Sequence, residues 1–183
     1  MARVSKALCE LRRLEGYYSN HEKDVGGRTA FGVAEAYWPQ YWEAWGGMPT
    51  WDQAQQFYLR EFWNPLKLDS LHDQTIANEV FEQAVNLGHK RAIRFWQVAI
   101  CLVRGSGTVM IDGRVGAETL NATNRLNAAD ARRVSKVLNG LQFMYYIYRT
   151  NSLDDVMALF KTMPRDDQKV FFRGWMKRIS FSE

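Results

Sequence analysis

The chain has 183 residues and a mass of 21.3 kDa, room for one domain or for two small ones packed together. Hydrophobic residues make up 46% and charged residues 24%, an ordinary globular balance that excludes extended disorder, and no apolar run is long enough to span a membrane. A net charge of +4 with Lys and Arg scattered along the chain gives no nucleic-acid footprint, whereas seven Trp, eight Tyr and ten Phe are more rings than a core of this size usually holds.

The pattern is helical nearly throughout. Val4, Ala7, Leu8, Leu11 and Leu14 recur at helical spacing and Gly16 stops the run. Residues 17–33 break the period and carry Gly26, Gly27 and Gly32, which predicts a loop or small hairpin. Trp38, Trp42 and Trp45 then share one helical face, with Tyr37 and Tyr41 on an adjacent one. Thr50 with Gln53 forms a capping box for a helix through Glu61, and Asp73 caps another that Gly88 closes after Leu87. Further helices are expected from about Lys90 to Arg104, stopped by Gly105-Ser106-Gly107, and from Ala117 after a turn at Asp112-Gly113. One long helix is expected over 129–149, Ser152 with Asp155 opens a short one, and Pro164 starts the last. The expectation is a mainly α fold in two lobes, 1–104 and 105–183.

Cys9 and Cys101 form no CxxC pair, and His21, His72 and His89 stand too far apart to complete a zinc set. Asp112-Gly113 is followed by no acidic residues at the alternating spacing of a calcium loop. No metal and no cofactor is therefore expected, and both cysteines read as buried and reduced.

The segment most suggestive of chemistry is 14–33. Glu15 stands four residues after Leu11, towards the apolar stripe, where partial desolvation favours a protonated carboxyl. A protonated carboxyl near neutral pH is what a general acid needs. Asp24 and Thr29 lie in the glycine-punctuated loop, where a carboxylate is better solvated and stays ionised. Two carboxyl groups in unlike environments suit glycoside hydrolysis, one donating a proton and the other steering water or stabilising the developing cation. Taken alone, a Glu before Gly at a helix end is usually a solvated terminus, and an Asp and Thr in a turn are explained by the shape of the loop.

Glu15, Gly16, Tyr18, Asn20, Asp24, Gly26, Gly27, Thr29 and Gly32 match without a gap a motif of the form Glu-Gly-Gly-Tyr, Asn, Asp, Gly-Gly-x-Thr and Gly-Ile. The chain thereby resembles glycoside hydrolase family 108, the lysozyme-like muramidases of phage endolysins and secretion-associated bacterial enzymes. The likeness continues through Phe62-Trp63-Asn64-Pro65, through Ala77 to Phe81, and through Ala84-Val85-Asn86-Leu87-Gly88. Downstream, Trp96-Gln97, Asp112-Gly113-Arg114-Val115-Gly116 with Thr119-Leu120, and Phe172-Arg173-Gly174-Trp175-Met176-Lys177-Arg178 resemble the peptidoglycan-binding-type region that accompanies the family. Tyr17 replaces the second Gly of the motif, His21 and Glu22 replace an Asp-Pro pair, and Val33 replaces Ile.

The resemblance implies a lysozyme-like fold, with a catalytic lobe over 1–104 and a peptidoglycan-binding-like lobe over 105–183. It implies hydrolysis of the β-1,4 bond between N-acetylmuramic acid and N-acetylglucosamine, in cell-wall lysis or muramidase-dependent secretion. Glu15 becomes the acid, and Asp24 and Thr29 position the water. Tyr17, Tyr18, Asn20, Phe31, Trp42, Asn86 and Tyr146 are the expected substrate contacts. For Trp42 and its neighbours, core packing is the competing reading, and the Tyr146 stripe is open to the same one. The Asn86 amide has the right groups to bond an acetamido substituent. The expected partners are peptidoglycan strands and a holin or export machinery, with no nucleic acid and a monomeric state. No secretory signal is evident in residues 1–14, so synthesis in the cytoplasm and action in the envelope are expected. Rival readings are a non-catalytic peptidoglycan-binding module and a chitinase-like glycosidase.

Overall fold

The computed structural model describes residues 1–15, 17–19 and 27–150. These form two compact units, Ala2–Asp69 and the residues from Ser70 onward. The chain is mainly helical, as expected, and among the described residues strands occur only in a small sheet of the first unit.

In the first unit α1 (Val4–Glu15) buries Ala7, Leu8 and Leu11 and carries Arg12 and Arg13 in its last turn, where cations favour the helix dipole. A three-stranded antiparallel sheet follows: β1 (Tyr18–Ser19), β2 (Thr29–Ala30) and β3 (Val33–Ala34). Ala30 pairs with Val33, which leaves Phe31 and Gly32 as a two-residue loop. Both have positive φ, 50° and 78°. That geometry matches the twist of a hairpin and makes glycine the natural choice at the second position. Phe31 holds the less favourable place because its ring is buried against Trp51 and Tyr17 and its carbonyl accepts the Tyr58 hydroxyl at 2.7 Å.

Pro39 opens α2 (Pro39–Trp45), and Gly46 in the left-handed conformation closes it. Trp38, Tyr41 and Trp45 all set their rings near Phe57 of α3 (Trp51–Tyr58), at 4.8, 4.9 and 6.3 Å. The rich aromatic cluster is thus largely packing. The Thr50–Gln53 capping box forms as expected. The helix does not stay α-helical to Glu61: after Tyr58 it widens into a π turn over Leu59–Trp63, with Asn64 N–H bonding Leu59 O at 3.0 Å.

The second unit holds α4 (Gln74–Leu87), α5 (His89–Arg104), α6 (Ala117–Asn124) and α7 (Ala128–Arg149). Helices α4, α5 and α7 pack on one another around Ile76, Val80, Trp96, Ile100, Val134 and Leu138. Asp73 caps α4 through Ile76 N–H at 2.9 Å, and Gly88 stops it after Leu87. The Trp96-Gln97 and Asp112-Gly113 elements meet in space. Gln97 donates to Asp112 Oδ1 at 2.8 Å and accepts from Gly113 N–H at 2.9 Å, while Trp96 donates to Thr123. A side chain on Gly113, at φ 76°, would meet Lys90 Cγ at 3.0 Å, so this turn requires glycine. These motif residues build the fold of the unit.

The cysteines depart from expectation: Cys9 is an exposed free thiol, and Cys101 is half-buried with its thiol on Val109 O at 3.3 Å. Cys9 falls on the solvent side of α1, opposite the Leu8–Leu11 stripe, so helical phase exposes it. Among the described residues no helix is long and apolar enough to cross a membrane. The helices expected after Ser152 and Pro164, and the element Phe172–Arg178, lie outside the described residues.

Candidate functional site

The candidate site in the first unit gathers at the end of α1 and the sheet that follows. Glu15 is the last residue of α1; its side chain lies outside what the structure describes, as do Asn20 and Asp24 altogether. Thr29 is half-buried in β2, its hydroxyl donating only at 3.4 Å to Gly27 O. Among the described residues, that long bond is the one its hydroxyl makes. Gly27, with φ 62°, turns the chain into β2.

Burial separates the expected sugar contacts of this unit. Tyr17 is 65% exposed, with its ring edge-on to Phe31 at 4.9 Å, and Tyr18 is 46% exposed in β1. Both offer open ring area at β1, where Ser19 pairs with Thr29 and Tyr18 with Ala30, so that the Tyr18 side chain leaves the sheet on the face opposite Thr29. Phe31 and Trp42 do not. Phe31 is 4% and Trp42 2% exposed, and the Trp42 indole N–H donates to Val33 O at 3.3 Å. Their rings are interior walls under the sheet, which corrects their reading as substrate contacts.

The base of the β2–β3 hairpin is clamped. Arg28 meets Glu35 through two charge-assisted bonds of 2.6 and 2.5 Å, and Glu35 N–H bonds Arg28 O at 2.8 Å. The Arg28 guanidinium holds the Glu35 carboxyl below its ordinary range. This pair braces the strand that carries Thr29.

In the second unit, Asn86 and Tyr146 are exposed, on α4 and α7. Asn86 is not a buried amide in search of partners, because its Nδ2 donates to Glu82 Oε1 at 2.7 Å and to Glu82 O at 3.3 Å. Gln142 donates to the same carboxylate at 2.8 and 3.1 Å and to the Tyr146 hydroxyl at 2.9 Å. Burial pushes the Glu82 carboxyl up from its ordinary range, and the Gln142 and Asn86 donors partly restrain it. Glu82 and Gln142 are residues that sequence reasoning missed. The available signal was spacing: Glu82 with Asn86, and Gln142 with Tyr146, are each four apart on one helix face.

Residues 8–88 match the family model described as Glycosyl hydrolase 108, and residues 91–180 match the one described as Predicted Peptidoglycan domain. Among solved structures, SagA of Brucella abortus is similar at 24% identity with a TM-score of 0.58, over 96% of this chain and 88% of that one. That likeness concerns the fold. No curated protein matches the chain by sequence.

Proposed function

Because residues 8–88 belong to the glycosyl hydrolase 108 family and residues 91–180 to the peptidoglycan domain family, we propose that this glycoside hydrolase of peptidoglycan is an N-acetyl-β-D-muramidase. The carrying observation is the family match over 8–88, which contains Glu15 at the end of α1 and Thr29 in β2. In this reading Glu15 gives its proton to the glycosidic oxygen between N-acetylmuramic acid and N-acetylglucosamine. Asp24 and Thr29 hold the water that attacks the anomeric carbon, and Asp24 stabilises the oxocarbenium-like transition state. The place of Thr29 in β2 beside Ser19 of β1 is compatible with its part, and the open rings of Tyr17 and Tyr18 support a role in stacking on sugar faces. Asn20 belongs to the same loop and is assigned to substrate with them.

The protein acts as a monomer made in the cytoplasm and delivered to the envelope through a holin or an export machinery, for lysis or for secretion. The test digests purified peptidoglycan with the wild type and with Glu15→Gln, reduces the products with borohydride and identifies the new end by mass. Reduced N-acetylmuramic acid is expected, with the variant slower by about a hundredfold or more, the scale of a lost general acid. A reduced N-acetylglucosamine end, or an active variant, overturns the assignment. Chitin oligomers digested in parallel are expected to be poorer substrates.

A further inference from the structure

We propose that the loop 109–113 of the second unit is a docking tip for an anionic lipid bilayer. Met110 and Ile111 enter the surface, and Lys90, Arg94 and Arg114 meet the lipid phosphates. The muramidase reading above assigns nothing to this loop. Enforced exposure of apolar side chains carries the proposal. Met110 is 68% and Ile111 47% exposed, and Leu102, next to Cys101, is exposed as well. After the terminal Met1, Met110 is the most exposed large hydrophobic residue among those described. The loop cannot turn its two apolar side chains inward, because its backbone is pinned on both sides of them. On one side Val109 is buried and its carbonyl accepts the Cys101 thiol at 3.3 Å, while Met110 N–H donates to Glu118 Oε2 at 3.2 Å. On the other, Asp112 accepts from Gln97 Nε2 at 2.8 Å and Gly113 N–H donates to Gln97 Oε1 at 2.9 Å.

The charge around the tip is one-sided. Residues 88–116 hold five Lys and Arg against one acidic residue, Asp112. Arg91 is occupied over the Tyr145 ring and Arg104 by Asp130. Lys90, Arg94 and Arg114 are exposed and form no ion pair among the described residues. The nearby carboxylates are turned to the loop's own backbone, Asp112 to Arg114 N–H and Glu118 to Met110 N–H. Lys90 and Arg94 reach the tip: a Cβ built on Gly113, two residues after Ile111, would come within 3.0 and 3.3 Å of their Cγ atoms. Exposed apolar side chains collared by unpaired cations fit a partner that lays phosphates over an apolar interior. A bilayer is such a partner, and it asks only for proximity, since neither charge attraction nor hydrocarbon imposes a register. Among the described residues no helix can cross a membrane, so the association is one of surface contact.

The experiment mixes the full chain with vesicles of phosphatidylcholine alone, or of phosphatidylcholine and phosphatidylglycerol in equal parts, and reads binding by flotation. The wild type should float with the mixed vesicles only, and less so in high salt. Met110→Ser with Ile111→Ser should weaken binding by about tenfold or more, because two apolar side chains no longer leave water. Lys90→Gln with Arg94→Gln, which keeps the Cγ atoms beside Gly113, should weaken it by about fivefold for each lost cation. All four side chains are exposed, so the thermal midpoint should hold in both variants. Binding to lipid-free sacculi and digestion of purified peptidoglycan should not move, which keeps this test apart from the muramidase one. Absence of flotation, equal binding to neutral vesicles, or either variant binding like the wild type overturns the proposal. A parallel loss of sacculus binding also overturns it, and gives this face to peptidoglycan.

Discussion

Two tryptophan and tyrosine sites in the first unit illustrate how little residue type says about role until burial is known. Trp42 is interior, donating its indole N–H to Val33 O, while Tyr17 lies open on the edge of Phe31. Trp42→Ala should therefore cost about 3–5 kcal/mol of stability, the usual range for removing a large buried ring. Tyr17→Ala should leave the unfolding midpoint nearly unchanged and weaken glycan binding. Urea unfolding and oligosaccharide titration of both variants check this. A Tyr17→Ala protein as unstable as Trp42→Ala would return Tyr17 to the core. Phe31 shows the same logic in the backbone: its left-handed conformation is tolerated because its ring and its carbonyl are both engaged inside the unit.

At the scale of elements, the β2–β3 hairpin depends on its clamp more than on its length, since two-residue strands have little ladder of their own. Glu35 is held below its ordinary range by Arg28. A carboxyl with a lowered folded value adds stability that is present above the unfolded glutamate range and is lost as pH falls through the folded value. Glu35→Gln should thus speed exchange of the Glu35-position amide, which bonds Arg28 O, at neutral pH. The difference from wild type should close in acid and narrow in high salt, because the pair is exposed. A pH-independent difference would assign the effect to packing. What was legible in the sequence at this scale was local chemistry. The Thr50–Gln53 box, the Asp73 cap and the glycine stops at 88 and 105 depend on neighbours in the chain, and they form where expected. The π turn at Leu59–Trp63 was not legible, since tertiary packing of Phe62 and Trp63 and not spacing decides where a helix widens. Nor was the Glu82–Gln142 pair, whose partners stand 60 residues apart and meet only once α4 and α7 pack. Around the candidate site, the helix end at Glu15 was legible from local spacing, while the burial of Phe31 and Trp42 in the interior was not.

For the whole molecule, the family boundary and the physical one fall in different places. The hydrolase match ends at residue 88 and the peptidoglycan match begins at 91, yet the compact units divide between Asp69 and Ser70. Helix α4 is therefore hydrolase by family and part of the second unit by packing, held on α5 and α7. A fragment of residues 1–88 would carry α4 without either partner and uncover side chains such as Ile76, Val80, Phe81 and Leu87 that are buried in the full chain. Each buried apolar side chain of this size is worth roughly 1.5–3 kcal/mol. Losing cover for only a few of them consumes a large share of the about 5–15 kcal/mol that stabilises a domain. The 1–88 fragment should accordingly aggregate or melt without cooperativity, whereas a fragment beginning at Ser70 should show a cooperative helical transition by circular dichroism. If 1–88 instead folds cooperatively and degrades peptidoglycan, the hydrolase region is self-sufficient, and the packing of α4 on α5 and α7 is an accessory to it.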